Sequence, residues 1–196
     1  MSKKKLPTIV SFMGVDGSGK TTLSKHLNKL FNNSVYLHLK PYIIFPDRRT
    51  VITNPHKKKK SSSIISLFRL ISWLISYTIF FLLKKNKKIY IFDRYAHDIL
   101  IDPLRYRHNL PNKLTKFILN IFPEPDLWIF LKPPLKTVRL RKQELPQNET
   151  KKQIKKYSIF FTKKKNVLKL DTSKNFKSLL TTIKKKISYI QKWKIF

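Results

Sequence analysis

A chain of 196 residues, 41% of them hydrophobic, is long enough to form one domain around a sizeable core. It has no cysteine, which excludes disulfides, thiolate zinc sites and cysteine nucleophiles. Its formal net charge of +33 at pH 7 raises two readings, a polyanion binder and a lysine-rich solvated surface set by compositional bias.

The bias reading has support in the residues themselves. Lysine is spread along the whole chain, and Ala96 is the only alanine. Arginine is distributed differently: Arg94, Arg105, Arg107, Arg139 and Arg141 all fall in two segments that handle phosphate in the reading below. The arginine fork suits bidentate phosphate contacts, whereas a lysine ammonium acts as a point charge. The expectation is a mostly solvated lysine surface with weak, salt-sensitive polyanion binding.

The N-terminal residues MSKKKLPTIVSFMGVD run directly into the first motif, so no signal peptide is expected. The apolar, β-branched run Thr8–Met13 predicts a strand. All three glycines follow it closely, Gly14, Gly17 and Gly19, and GVDGSGKT from Gly14 to Thr21 fits G-x-x-x-x-G-K-[ST]. Glycine is needed where backbone N–H groups curl round an anion and a Cβ would obstruct the curl. A predicted helix over Lys20–Phe31 adds its dipole and unpaired N-terminal donors.

Gly14, Asp16, Gly17, Ser18, Gly19, Lys20, Thr21 and Thr22 are therefore the candidate nucleotide-binding residues. Lys20 reaches toward the β- and γ-phosphates, and Thr21 serves as a ligand to Mg2+. ATP with Mg2+ is the expected cofactor pair, which places the protein where ATP is, in the cytoplasm.

A second strand is predicted over Val35–Leu39. The apolar segment Ser63–Leu83, with a predicted helix over Ile64–Leu83, is long enough to raise a membrane span. Three features favour a crossover helix with no transmembrane span. Arg69 lies inside it, lysines flank both ends (Lys57–Lys60; Lys84, Lys85, Lys87, Lys88), and serines at 66, 72 and 76 interrupt it. A span would also separate the glycine loop from the strand that follows.

That strand, Ile89–Asp93, ends in a carboxylate at its C-terminal end, where ligands sit in open parallel sheets. Asp93 is the candidate to hold the water shell of Mg2+, with Arg94 next to it. Asp98, Asp102, Arg105 and Arg107 follow, either as part of a phosphate site or as local salt bridges of a solvated loop. His97 reads as a structural histidine, because transfer to a phosphate acceptor needs no general base. The remaining predicted elements are helices over Asn112–Phe122, Leu135–Glu144, Lys151–Phe161 and Phe176–Trp193, and strands over Leu127–Leu131 and Val167–Leu170. Asp171–Ser173 reads equally as an adenine-bordering turn and as a helix N-cap.

Taken together, GVDGSGKTT (Gly14–Thr22), DRY (Asp93–Tyr95), PDLWIFLKPP (Pro125–Pro134) and VRLRKQE (Val138–Glu144) resemble the thymidylate kinase family of nucleoside monophosphate kinases. The resemblance spans most of the chain. It implies an α/β fold, a three-layer α/β/α phosphate-loop kinase with about five parallel strands, in a single domain over 1–196. A short lid is implied over approximately 134–150.

For the catalytic residues the resemblance implies Lys20, Asp16 near the acceptor, Arg94 on the acceptor's phosphate, and Arg139 and Arg141 on the lid. It also implies a small-molecule phosphate acceptor and a homodimer through the long apolar helix. The acceptor stays open between a nucleoside monophosphate and a phosphorylated or hydroxylated compound of another kind. The helix positions that hold the thymine in the family fall at about Arg69 and Trp73 here. A nucleic-acid-associated ATP-binding protein is the reading from a different class.

Overall fold

The structure is a computed structural model that describes residues 7–41, 59–84, 88–142 and 145–193. Of the residues named above, 1–6, Lys57, Lys58, Lys85, Lys87, Gln143 and Glu144 lie outside the described ones. The chain divides into two compact units. One lies within Met1–His38, Lys84–Tyr95 and Pro125–Phe196, the other within Leu39–Leu83 and Ala96–Glu124.

The first unit is built on a five-stranded sheet, all of whose pairings are parallel: β1 (Thr8–Met13), β2 (Ser34–His38), β3 (Ile89–Asp93), β4 (Leu127–Leu131) and β5 (Val167–Leu170). Its order is β2-β3-β1-β4-β5, so the glycine-loop strand is central. The three inner strands are buried along their whole length, and their sequences TIVSFM, IYIFD and LWIFL are correspondingly apolar without alternation. The edge strands β2 and β5 are only partly buried, and Lys169 turns outward from β5.

Side-chain alternation then sends Val10, Phe12, Ile91, Ile129 and Leu131 to one face. There they meet Leu23 and Leu27 of α1 (Lys20–Leu30) and Leu179, Ile183 and Ile187 of α6 (Phe176–Trp193). The other face presents Trp128 and Phe130 to α5 (Gln147–Thr162). Phe130 stacks on Phe161 at 4.7 Å between centroids, and Trp128 meets Phe161 at 5.9 Å. Helices thus cover both faces, giving the expected three-layer architecture. The start of β4 is locked to β1 in both directions: Ile9 N donates to Asp126 Oδ2 at 2.7 Å, and Asp126 N donates to Ile9 O at 2.9 Å.

Predicted and observed elements differ where local chemistry overrides periodicity. Strand β2 stops at His38 because Leu39 adopts φ 62, outside the extended region. Helix α5 begins at Gln147, four positions ahead of the expected Lys151. Pro146, at φ −55, precedes its first turn and Glu149 lies within it. Pro111 and Pro134 stand in the same relation to α3 (Asn112–Ile121) and α4 (Leu135–Arg141). Helix α6 is capped by Asn175, whose Oδ1 accepts Lys177 N at 2.9 Å and Ser178 N at 3.2 Å, and not by Asp171–Ser173.

The second unit contains α2 (Ser63–Leu83), α3 and a short 3-10 helix at Ala96–Leu100 that the sequence pattern did not reveal. Helix α2 is long and apolar enough to cross a membrane by length and composition. One side of it is buried through Leu70, Trp73, Tyr77 and Phe80. Along the opposite side Ile64, Phe68, Ile71, Ile75 and Leu82 are exposed.

Within this unit the mixed charges after Tyr95 are taken up internally. Tyr106 OH donates to Asp98 Oδ2 at 2.6 Å, Arg105 Nε lies 3.4 Å from Asp102 Oδ2, and Arg107 Nε donates to Lys59 O at 2.9 Å. Arg69 donates to Tyr106 O and to Ser61 Oγ, while Trp73 meets the Tyr106 ring edge-on at 5.7 Å. His97 is buried with its ring 6.3 Å from Phe122.

Candidate active site

Strands β1 and β3 are neighbours in register, with Phe12 opposite Asp93. Their C-terminal ends therefore set the glycine loop and the Asp93–Arg94 pair side by side in one unit. Arg94 N donates to Phe12 O at 3.0 Å, which continues the ladder by one residue and fixes the turn.

The loop needs glycine for measurable reasons. Gly14 has φ 151, and a Cβ there would stand 2.6 Å from Leu131 O and 2.9 Å from Ser18 Oγ. The first obstacle is backbone of the neighbouring strand, which cannot swing aside. Gly14→Ala is expected to destabilise the chain by about 2 kcal/mol. In a chain of this size that lowers the melting temperature by roughly 4–8 °C. Calorimetry showing no change would contradict this tight approach.

Lys20 opens α1, and its side chain folds back over the loop. Its Nζ donates to Gly14 O and Val15 O, each at 2.7 Å, and lies 3.4 Å from Ser18 Oγ and 3.9 Å from Asp16 Oδ1. The helix has no side-chain N-cap and no acidic residue in its first turn. A cation there opposes the helix dipole, so the local chemistry favours an arriving anion. Thr21 and Thr22 are exposed in that turn.

Asp16 Oδ1 also pairs with Arg94 Nη2. Arg94 is buried and holds φ 76, an unusual backbone for a residue with a Cβ. One carboxylate oxygen thus holds two cations, Lys20 and Arg94, at the mouth of the loop.

Asp93 is 1% exposed. Its Oδ2 accepts Thr21 Oγ1 at 2.6 Å and Tyr36 OH at 3.0 Å, and His38 Nδ1 lies 3.6 Å away. Burial pushes the carboxyl pKa up. The nearby His38 ring, the hydrogen bond from Thr21 and the charges of Lys20 and Arg94 outweigh that and hold it well below the usual carboxylate range. Asp93 is therefore ionised at neutral pH.

Oδ1 of Asp93 is buried and has no hydrogen-bond partner among the described residues. An ionised carboxylate with one unused oxygen beside a threonine hydroxyl suits a hard, oxygen-seeking cation. No group of three or more His, Cys, Asp or Glu is placed to hold a metal ion among the described residues. Mg2+ takes one or two protein ligands and completes its shell with water and substrate phosphates.

The two arginines of α4 diverge, because residues two apart on a helix point to different sides. Arg141 Nη1 donates to Thr172 Oγ1 at 3.0 Å and Nη2 to Thr172 O at 2.8 Å; Thr172 Oγ1 in turn donates to Ser18 O at 2.9 Å. Arg141 is thereby tied to the glycine loop. Arg139 Nη1 instead donates to Leu145 O at 2.6 Å, within its own segment.

Tyr36 and His38 were not among the expected site residues, and Thr172 entered only within Asp171–Ser173, as an adenine-bordering turn or a helix N-cap. For the two β2 residues the available signal is position, two residues apart at the C-terminal end of a parallel strand.

Residues 12–188 match the model of the family described as thymidylate kinase. A probable thymidylate kinase of Sulfolobus acidocaldarius is 33% identical over 150 residues, covering 68% of this chain and 69% of that protein. Another, of Sulfurisphaera tokodaii, is 25% identical over 185 residues, covering 89% and 92%.

Among solved structures, thymidylate kinase from Candida albicans superposes with a TM-score of 0.64 at 18% identity, covering 96% of this chain and 93% of that one. Deoxyadenosine kinase from M. mycoides with bound dATP superposes at 0.61 and 18% identity, covering 92% and 99%. At these identities the structural likeness speaks for the fold.

Proposed function

The chain belongs to the thymidylate kinase family, and from that premise we propose that it transfers the γ-phosphoryl group of Mg·ATP to a (deoxy)nucleoside monophosphate. It is a phosphotransferase of the nucleotide kinase type. The observation that carries the proposal is the meeting of the two motifs in one cleft: Thr21 on Asp93 at 2.6 Å, and Asp16 paired with Arg94.

In this reading the backbone of Gly14, Gly17, Ser18 and Gly19 and the side chains of Lys20, Thr21 and Thr22 hold the phosphates of ATP. Asp93 and Thr21 hold Mg2+, which when bound neutralises charge building on the β- and γ-phosphates. Arg94 binds the acceptor's phosphate, and Asp16 orders Arg94 and Lys20. An oxygen of that phosphate attacks the γ-phosphorus while the bond to the β–γ bridging oxygen breaks and ADP leaves. The attacking oxygen is already anionic, so no side chain has to remove a proton. Residues 134–150 act as the lid, from which Arg139 and Arg141 bring charge to the transferring group and exclude water.

Coupled ADP release with dTMP, dUMP, CMP and UMP tests the proposal. Acceptor-dependent release is expected with at least one of them, and none across the panel would reject it. Release driven instead by DNA or RNA would favour the nucleic-acid-associated reading.

Two surface features support finer proposals. The exposed stripe on α2 is the surface through which two copies associate, and Phe68, 67% exposed, lies within it. Phe68→Glu is expected to convert a dimer to a monomer by light scattering; an unchanged mass would remove this interface. Helix α2 acts as a crossover helix and not a span, its Arg69 being held by Tyr106 O and Ser61 Oγ, which suits a cytoplasmic enzyme. The +33 charge supports weak binding to polyanions such as heparin that fades as salt rises.

A further inference from the structure

The C-terminal half of β2 sends two side chains toward Asp93 that the phosphate-loop reading does not use. Tyr36 and His38 lie two residues apart and so share a face of the strand. His38 stands opposite Asp93 across the parallel ladder. Tyr36 OH and Thr21 Oγ1 both donate to Oδ2, at 3.0 and 2.6 Å, and His38 Nδ1 approaches the same oxygen at 3.6 Å. Among the described residues, the hydrogen bonds to this carboxylate therefore fall on Oδ2, while the buried Oδ1 is left for another ligand. Rotation about the last side-chain bond would exchange the two oxygens, and these donors favour the placement with Oδ2 turned toward them.

We propose that Tyr36 is a positioning residue for the cation-holding carboxylate: its phenol anchors Asp93 by Oδ2 and so presents Oδ1 to the hydrated divalent ion. Thr21 cannot do this alone, because it is itself proposed as a ligand to the same ion. The Tyr36 phenol, which is not itself proposed as a ligand to the ion, keeps the carboxylate in place while the threonine hydroxyl serves the cation. The neighbouring Lys25, whose Nζ lies 6.0 Å from the centre of the Tyr36 ring, gives that ring a cationic neighbour. The inference rests on the donor-site reading above and adds the residue that orients its carboxylate.

Tyr36→Phe keeps the ring and removes the donor. ATP is titrated calorimetrically into the full chain, once with MgCl2 and once with EDTA, and Mn2+ binding in the presence of ATP is followed by electron paramagnetic resonance. The affinity for ATP in EDTA is expected to stay within about twofold of the wild type. The extra affinity conferred by the metal is expected to fall about tenfold, the low end for losing a group that orients a metal ligand. A metal increment equal to that of the wild type overturns the proposal, and so does an equal loss with and without metal, which marks a merely structural tyrosine. If Tyr36→Phe does not fold, Tyr36→Met, which also lacks the hydroxyl, gives the same comparison. A wild-type chain that gains no affinity for ATP from metal brings down the donor-site reading and this inference together. A wild-type gain left intact in the variant removes this inference alone.

Discussion

Replacing Lys20 by alanine is expected to leave a folded chain whose phosphoryl transfer is slower by roughly a thousandfold or more, the scale set by removing a group that stabilises the charge of such a transition state. The side chain is 5% exposed and spends its hydrogen bonds on Gly14 O and Val15 O. A buried ammonium at the positive end of a helix is electrostatically unfavourable, by about 0.3–1 kcal/mol for the dipole alone. Loop carbonyls and Asp16 offset that cost. Truncation therefore loses the bonds to the carbonyls and relieves the clash with the dipole, and the net change in stability is expected within about 2 kcal/mol. Turnover changes on a different scale, because no other lysine or arginine lies in Gly14–Thr21. Steady-state kinetics beside a thermal melt separates the two effects. Turnover within tenfold of the wild type at an intact melting temperature contradicts the role assigned to Lys20.

The elements read most accurately from sequence are those whose environment is uniform. Strands β1, β3 and β4 and helix α6 run over the expected residues, as does the short, partly buried edge strand β5. An inner parallel strand is apolar from end to end and breaks off sharply at a loop, while α6 shows a long periodic face. Helix α5 was less legible at its start because Gln147, Asn148, Glu149 and Thr150 show no apolar period, and Pro146 alone signals the turn.

The site divides along the same line. The glycines of the loop and Asp93 announce themselves through local chemistry, respectively a backbone that excludes Cβ atoms and a carboxylate ending a buried strand. Tyr36 and His38 do not, because their meeting with Asp93 depends on β2 lying beside β3 in a particular register, which no local pattern encodes. Thr172 depends similarly on the segment after β5 returning to the glycine loop. Of the charges after Tyr95, Asp98, Asp102 and Arg105 could be read as site or as scaffold from sequence. The structure gives each a bond within its own unit, to Tyr106 or to one another.

Arg94→Ala is the change expected to separate acceptor from donor. The guanidinium is buried and paired with Asp16, and its backbone is held at φ 76 by the bond to Phe12 O. A non-glycine residue in that conformation costs on the order of 1 kcal/mol, a strain that persists only where the surroundings impose it. Alanine keeps the strain and removes the fork, so any change in function is that of the side chain. With the acceptor varied, kcat/KM is expected to fall about a hundredfold, some 2.7 kcal/mol of transition-state stabilisation, while the affinity for ATP shifts less than about threefold. Arg94→Lys restores a charge without the planar pair of donors, so recovery is expected to be small if the contact is bidentate and large if only charge matters. Loss of Arg94 also leaves Asp16 beside Lys20, 3.9 Å away, which favours the ammonium's position over the loop and spares the donor side. Equal losses for ATP and acceptor would therefore place Arg94 on the donor phosphates, and the acceptor's phosphate would need another partner.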